Sequence, residues 1–196
     1  MTTDMKTEIN RKIFHLLAII FPTLYYFTSS KIILAFLIII NFITITLDVN
    51  RHFIPKIQNI INKIFLPIMR KHEYSGTRNL SGMSYMMLGF LVTSIFFKKE
   101  QVILSWFILI FADSLAAILG KKYGTPMAYG KSLEGSAVFF CLAMMIAIIC
   151  HVFLNLHFSF FKCLFAILIT TIAEFYSKAL KIDDNFLIPV VFCLFC

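Results

Sequence analysis

The sequence predicts an all-α, polytopic integral membrane bundle of about six to seven spans, and two observations carry that reading. Of the 196 residues, 60% are hydrophobic and only 14% are charged, giving a mean hydropathy of +0.87; a soluble domain of this size needs more charge on its surface than that. Apolar runs of about 20 residues, the length that crosses a hydrocarbon core, also recur along the whole chain. Together they leave a single transmembrane domain over residues 1–196, with no room for a separate soluble one.

Taken in order, the apolar runs fall near 13–29, 31–47, 83–97, 101–119, 136–156 and 160–177, with a short stretch at 186–196. Each is expected to be helical, because backbone groups in hydrocarbon must find their hydrogen bonds within the segment. The first run lacks a small-residue cleavage site and is read as a retained span. The last has 11 residues, about 16 Å as a helix, and is a partial span or the start of one. With the N-terminus cytoplasmic, fourteen lysines and arginines lie on the inner side and four on the outer. That bias sets the orientation and puts the 120–135 segment in the cytoplasm.

Between the second and third spans, 51–68 is bracketed by Pro55 and Pro67. Ile57, Ile60, Ile61, Ile64 and Phe65 recur there at helical spacing opposite Lys56, Gln58, Asn59, Asn62 and Lys63. The pattern describes an amphipathic helix, lying on the membrane surface or packed on the bundle.

The net charge of +8 is accounted for by orientation and gives no reason to expect a nucleic-acid partner. All five cysteines lie in or beside apolar segments. Cys193 and Cys196 have a CxxC spacing with no second ligand pair, so they read as small buried hydrophobes.

Residues 112–136, ADSLAAILGKKYGTPMAYGKSLEGS, are the most informative stretch. Asp113 lies about two helical turns inside its span, where an ionisable group is expensive. It either serves a function or forms a structural pair. Gly120, Gly124, Gly130 and Gly135 are interleaved with Lys121, Lys122, Lys131, Ser132 and Ser136. Such a segment can bring backbone N–H groups and cations to an anion, or it can simply turn the chain. The Gly124–Gly130 spacing is one residue too long for a Walker A loop, and no strand precedes it, which excludes the P-loop fold.

Other polar clusters lie on the same predicted face. Arg11 and His15, at i and i+4, share one side of a helix with Lys12 between them. Arg78, Asn79, Ser81 and Tyr85 lead into the third span. Glu174 closes the sixth, followed by Asp183, Asp184 and Asn185. Carboxylates at Asp113, Glu174 and Asp184 with cations at Arg11, Arg78 and Lys131 are the residue types that phosphoryl or nucleotidyl transfer requires.

At these residues the chain resembles the dolichol kinase and phytol kinase family of CTP-dependent lipid-alcohol kinases, which includes a CTP-dependent diacylglycerol kinase. The resemblance is carried by RKIFH at 11–15, SGMSY leading to Gly89, ADSLAAILGKKYG at 112–124, GKSLEGS at 130–136, and AEFYS followed by DDNFLIP at 173–189. It implies a helical fold, an active site at the cytoplasmic face, and CTP and a membrane lipid alcohol as substrates, with Mg²⁺ as cofactor. It further implies metal ligation by Asp113, Glu174 and Asp184. Nucleotide contacts would come from Gly120, Gly124, Gly130, Lys131, Ser132, Glu134, Gly135 and Asn185, with Arg11 and His15 beside the transferred phosphoryl and His15 as base. Kin of that family continue through a full final span, so a chain ending at Cys196 reads as a shortened copy.

The same block also resembles part of CDP-diacylglycerol synthase, but that family's second signature does not follow Glu174. A transporter or lipid-binding protein using Asp113 and Glu174 for ion coupling is the remaining alternative, and the inverted repeats that would favour it are not found.

Overall fold

The computed structural model describes residues 3–65, 80–125, 127 and 130–196. Arg78 and Asn79, and the end of the predicted amphipathic segment at 66–68, lie outside them. The described residues form helices and connecting turns, with no strand among them.

The chain runs through α1 (Thr3–Leu16), a 3-10 turn (Leu17–Ile19), α2 (Ile20–Phe27), α3 (Ser30–Asn50) and α4 (Pro55–Phe65). Then follow α5 (Gly82–Phe96), α6 (Lys99–Phe107), a π turn (Ile108–Asp113) and α7 (Ser114–Tyr123), which together make one continuous helical rod. The last three helices are α8 (Leu133–Phe153), α9 (Phe160–Leu180) and α10 (Asp184–Phe195).

Among the described residues, four stretches are long and apolar enough to cross a membrane: Ser30–Asn50, Lys99–Tyr123, Leu133–Phe153 and Phe160–Leu180. Gly82–Phe96 and Asp184–Phe195 are apolar but shorter, and the N-terminal helix is interrupted at Leu17. These features describe an integral membrane protein. Several helices run beyond the apolar stretches read from sequence. α1 starts ten residues before the predicted first span, and α7 and α8 extend into the 120–135 segment, leaving a connection over 124–132. The reason is physical. Hydropathy locates the part of a helix that can lie in hydrocarbon, whereas the helix itself continues for as long as its polar residues find partners.

The Lys99–Tyr123 rod is the most buried of the long helices. Trp106 on α6 is fully buried, stacks on Phe90 of α5 at 4.3 Å and lies 5.4 Å from the ring of Tyr25 on α2. Its indole N–H donates to Thr93 Oγ1 at 3.0 Å, so the one polar atom of that core residue is satisfied. Lipid is as apolar as leucine, and close packing of this kind holds helices together in a bilayer. α10 packs against α5, α6 and α9. Pro189 removes a helical N–H and frees the Asn185 carbonyl. α5 comes close at that point through Gly89, where an added Cβ would lie 3.1 Å from both that oxygen and Pro189. The outward faces carry Phe42, Phe96, Phe153 and Phe161, all exposed, as lipid-facing surfaces require.

Candidate functional site

Two lysine–carboxylate clusters stand at one end of the bundle. In the first, Lys12 of α1 is ion-paired with Asp113, both side chains almost completely buried. Asp113 closes the π turn. One residue more per turn shifts the face presented by everything after it, and π bulges occur often at functional sites. Burying this pair takes two charges out of water, which is tolerable only because each neutralises the other.

In the second cluster Lys131 bridges two carboxylates: it is ion-paired with Glu174 of α9 and lies 3.3 Å from Asp184 at the start of α10. Burial alone would lower the Lys131 ammonium, but Asp184 and Glu174, with Asp113 behind them, overcome it and hold its pKa above the usual lysine value. The field of Asp113 reaches Lys131, so the two clusters form one electrostatic unit. At its edge Arg11 pairs with Glu8, and Lys121 approaches Glu8 at 4.0 Å. Burial would raise the Glu8 carboxyl, but Arg11 and Lys12 hold it below its ordinary value.

Ser132 secures the segment that delivers Lys131. Its Oγ accepts the Gly135 N–H at 3.1 Å, capping α8, and donates to the Gly120 carbonyl at 3.4 Å near the end of α7. Gly120 and Gly135 let α7 and α8 meet: a Cβ on Gly120 would sit 2.9 Å from Gly135 Cα. Gly130 has φ +75°, the left-handed conformation that favours glycine. These glycines bring helices together and turn the chain, and Gly124, bonded through its N–H to the Gly120 carbonyl at 3.0 Å, ends α7. Glu134 is exposed and accepts the Thr125 hydroxyl at 2.9 Å.

Beside the clusters lies a cavity of about 270 Å³. Phe14, Ile43, Leu47, Ile61, Met83 and Met86 give it apolar walls; Arg11, His15, Asp48, Arg51, Ser81, Ser84 and Asn185 give it a polar end. His15 is buried, and among the described residues its Nε2 has no hydrogen-bond partner. It lies within the fields of Asp113 and Asp184, so one imidazole belongs to both cavity and clusters. Asn185 Nδ2 donates to the Gly82 carbonyl at 3.1 Å. Asp48 is saturated: it accepts the Ser81 N–H at 2.8 Å, the Ser81 hydroxyl at 2.7 Å and the Ser84 hydroxyl at 2.5 Å, and meets Arg51 Nε at 3.3 Å.

The residues singled out from sequence thus divide. Arg11, His15, Asp113, Lys131, Glu174, Asp184 and Asn185 come together; Gly120, Gly124, Gly130, Ser132 and Gly135 build the scaffold that holds Lys131; Glu134 braces the loop. Sequence reasoning missed Glu8, Asp48 and Ser84 and gave Lys12 and Arg51 only an orienting role. The available signal was Asp48 beside the end of its span with Arg51 three residues on, a charged pair at helical spacing where charge is costly.

Asp113, Glu174 and Asp184 carry hard oxygen donors, yet among the described residues no three His, Cys, Asp or Glu side chains stand together as a metal cage. One or two protein carboxylates are what a magnesium ion takes when phosphate and water complete its shell, and the residues here could supply that number.

No family model and no solved structure matches the chain. An uncharacterized protein of Rickettsia prowazekii is 46% identical over 193 residues, covering 98% of this chain and 95% of that one. The chain belongs to the same family as this rickettsial protein. Among its distant homologues are CTP-dependent lipid kinases. CTP-dependent diacylglycerol kinase 1 of Saccharomyces cerevisiae is 35% identical over 146 residues, 71% of this chain and 49% of the kinase. The protein of the same name from Eremothecium gossypii is 27% identical over 151 residues, 71% of this chain and 45% of the kinase. The chain spans about half the length of these two kinases.

Proposed function

We propose that this protein is a CTP-dependent kinase that phosphorylates the hydroxyl of a membrane lipid alcohol: a polyprenol, a phytol-like alcohol or a diacylglycerol. The observation that carries the reading is His15, which lines an apolar-walled cavity, has an Nε2 without a hydrogen-bond partner among the described residues, and lies in the field of the carboxylate–lysine clusters. A lipid in the cavity would bring its hydroxyl to His15, and a nucleotide at the clusters would bring its γ-phosphorus within reach. The hydroxyl oxygen then bonds to that phosphorus, the bond to the bridging oxygen breaks, CDP leaves, and Nε2 takes the hydroxyl proton.

Lys12 and Lys131 are held by carboxylates. In this reading they transfer to phosphate oxygens when CTP binds, steadying the charge that develops on the transferred group. The carboxylates of Asp113, Glu174 and Asp184 so released would hold Mg²⁺, which when bound neutralises polyphosphate charge. Charge is conserved in the exchange, so each lysine has an acid waiting when the products leave. The basic-residue bias supports a cytoplasmic location for the site, where CTP is found.

The test is transfer of label from γ-labelled CTP by purified protein in detergent, with polyprenol, phytol, farnesol and diacylglycerol as acceptors. A labelled lipid monophosphate with CDP as co-product is the expected result. Pyrophosphate release with a CDP-lipid product would make it a cytidylyltransferase, and no CTP-dependent product at all would end the kinase reading.

A further inference from the structure

Four of the chain's five cysteines gather at the end of the bundle away from the lysine–carboxylate clusters. Cys150 lies in the last turn of α8, Cys163 in the first turn of α9, and Cys193 and Cys196 at the end of α10. Cys163 and Cys193 are buried, whereas Cys196 is partly exposed. The Cys163 and Cys196 thiols are hydrogen-bonded to each other across the contact between α9 and α10. The rings of Phe165 and Phe195, 5.9 Å apart, join the same two helix ends. Backbone bonds hold both cysteines in place: the Cys163 N–H donates to the Ser159 carbonyl at 2.9 Å, and the Cys196 N–H to the Phe192 carbonyl at 3.0 Å. Cys193, one turn before Cys196, turns instead to Ser105 of α6.

A cavity of about 110 Å³, walled by Met144, Ile148, Phe158 and Leu164 among others, abuts Cys163. Two thiols in hydrogen-bond contact must rotate toward each other before they can bond, because a disulfide brings its sulfurs much closer. A sulfur with open space beside it can make that rotation without displacing packed neighbours. The basic-residue bias supports placing this end outside the cytoplasm, since its turns carry Lys31, Lys98, Lys99 and Lys162. Thiols are kept reduced in the cytoplasm, whereas paired thiols outside it are oxidised.

From this arrangement we propose that Cys163 and Cys196 are a disulfide-forming pair, oxidised outside the cytoplasm by a disulfide-bearing oxidant. Cys196, the more exposed thiol, reacts first. Its sulfur bonds to one sulfur of the oxidant, the oxidant's S–S bond breaks, and the other half leaves as a thiol carrying the Cys196 proton. The Cys163 sulfur then attacks Cys196, the mixed disulfide breaks, and the second half leaves with the Cys163 proton. Two electrons pass from the pair to the oxidant, and one Cys163–Cys196 bond remains. That bond closes the chain from 163 to 196 into a loop and pins the end of α10 to the start of α9. Because α10 begins with Asp184 and Asn185, the cross-link steadies the helix that presents them at the opposite end. The pair is independent of the kinase reading.

The experiment treats the full chain in neutral detergent with oxidised glutathione, blocks the remaining thiols with N-ethylmaleimide, and maps unreduced peptides by mass spectrometry. A Cys163–Cys196 cross-link is expected, with Cys141, Cys150 and Cys193 alkylated. The thermal midpoint of the oxidised protein should rise by about 5–10 °C and fall back when dithiothreitol reduces the bond. Cys163→Ala and Cys196→Ala should each abolish the rise, whereas Cys193→Ala and Cys141→Ala should keep it. Since Cys163 is buried and its replacement disturbs packing, Cys196→Ala, at a partly exposed position, carries the test alone if the first variant does not fold. Cells that express the chain in a bacterial inner membrane, lysed directly into N-ethylmaleimide, should yield the same cross-link. Alkylation of both residues after the oxidant, or a glutathione adduct left on Cys196, would overturn the proposal. So would a bond from Cys163 to Cys150 or from Cys193 to Cys196 in its place, or both thiols found free in the cells.

Discussion

The two ends of the bundle use polar groups in opposite ways. At the end where α2 turns into α3 and α5 into α6, Lys99 donates to the carbonyls of Tyr26 at 3.0 Å and Thr28 at 2.8 Å. It also lies 5.5 Å from the ring centre of Tyr25. His151 Nδ1 similarly meets the Leu156 carbonyl at 2.9 Å. These side chains complete backbone groups left open at helix ends, a structural task with one answer. At the opposite end Lys12, Lys131, Asp113, Glu174 and Asp184 bond to one another across long sequence separations. A carbonyl cannot be exchanged for a ligand without undoing the helix end, whereas an ion pair can trade a carboxylate for a phosphate. The contrast separates charges that finish the fold from charges available for chemistry.

The sharpest way to break this contrast is Asp113→Asn. Lys12 would be left buried without a counter-charge, at a cost of about 3–5 kcal/mol, and CTP-dependent turnover should fall below detection. Adding Lys12→Met should restore most of the thermal stability in detergent but none of the turnover. A double variant that is both stable and active would make the pair purely structural.

Lys131→Ala comes next. Losing a charge-assisted phosphate contact is worth about 1.5–3 kcal/mol, so kcat/KM for CTP should drop roughly 10- to 150-fold while lipid binding holds. Lys131→Arg need not rescue it, since a fork does not replace a compact ammonium. Steady-state kinetics with each substrate varied in turn separate the two effects.

Gly120→Ala tests the scaffold beneath the clusters. With Gly135 Cα 2.9 Å from the new methyl, α7 and α8 must separate, which should cost about 1–3 kcal/mol of stability. Nucleotide and lipid handling should weaken together, because the displaced segment carries Lys131.

The smallest effect on CTP handling is expected at the other end. Lys99→Ala should lower stability by about 1.5–3 kcal/mol but leave KM for CTP unchanged; a change in CTP kinetics matching that of Lys131→Ala would dissolve the distinction between the ends. Titration sharpens it further. Lys131 is held above the ordinary lysine value of 10.5, so its stabilising contribution is complete below that pH and is lost only as pH rises through its higher folded value. Between pH 6 and 9 the Lys131 ammonium therefore stays charged and should add no pH dependence of its own to the wild-type thermal midpoint.

Helical class, membrane residence and the approximate places of the apolar helices were legible in the sequence, because hydropathy and the need to satisfy the backbone in lipid act locally along the chain. So was the unusual position of Asp113, since a carboxylate inside a span is conspicuous wherever it points. The glycines of 120–135 were legible as special, but their observed part in joining α7 to α8 depends on Ser132 and Gly135 meeting Gly120. The pairing of Lys12 with Asp113, the bridge from Lys131 to Glu174 and Asp184, and the Asp48–Ser81–Ser84 network were not legible. Each joins helices whose order along the chain says nothing about which faces meet. Only the tertiary structure decided those partners, through the π turn that sets the face of Asp113 and the close contacts at Gly89 and Gly120. The cavity between α1, α3 and α5 follows from the same packing, for an empty space has no residues of its own to announce it.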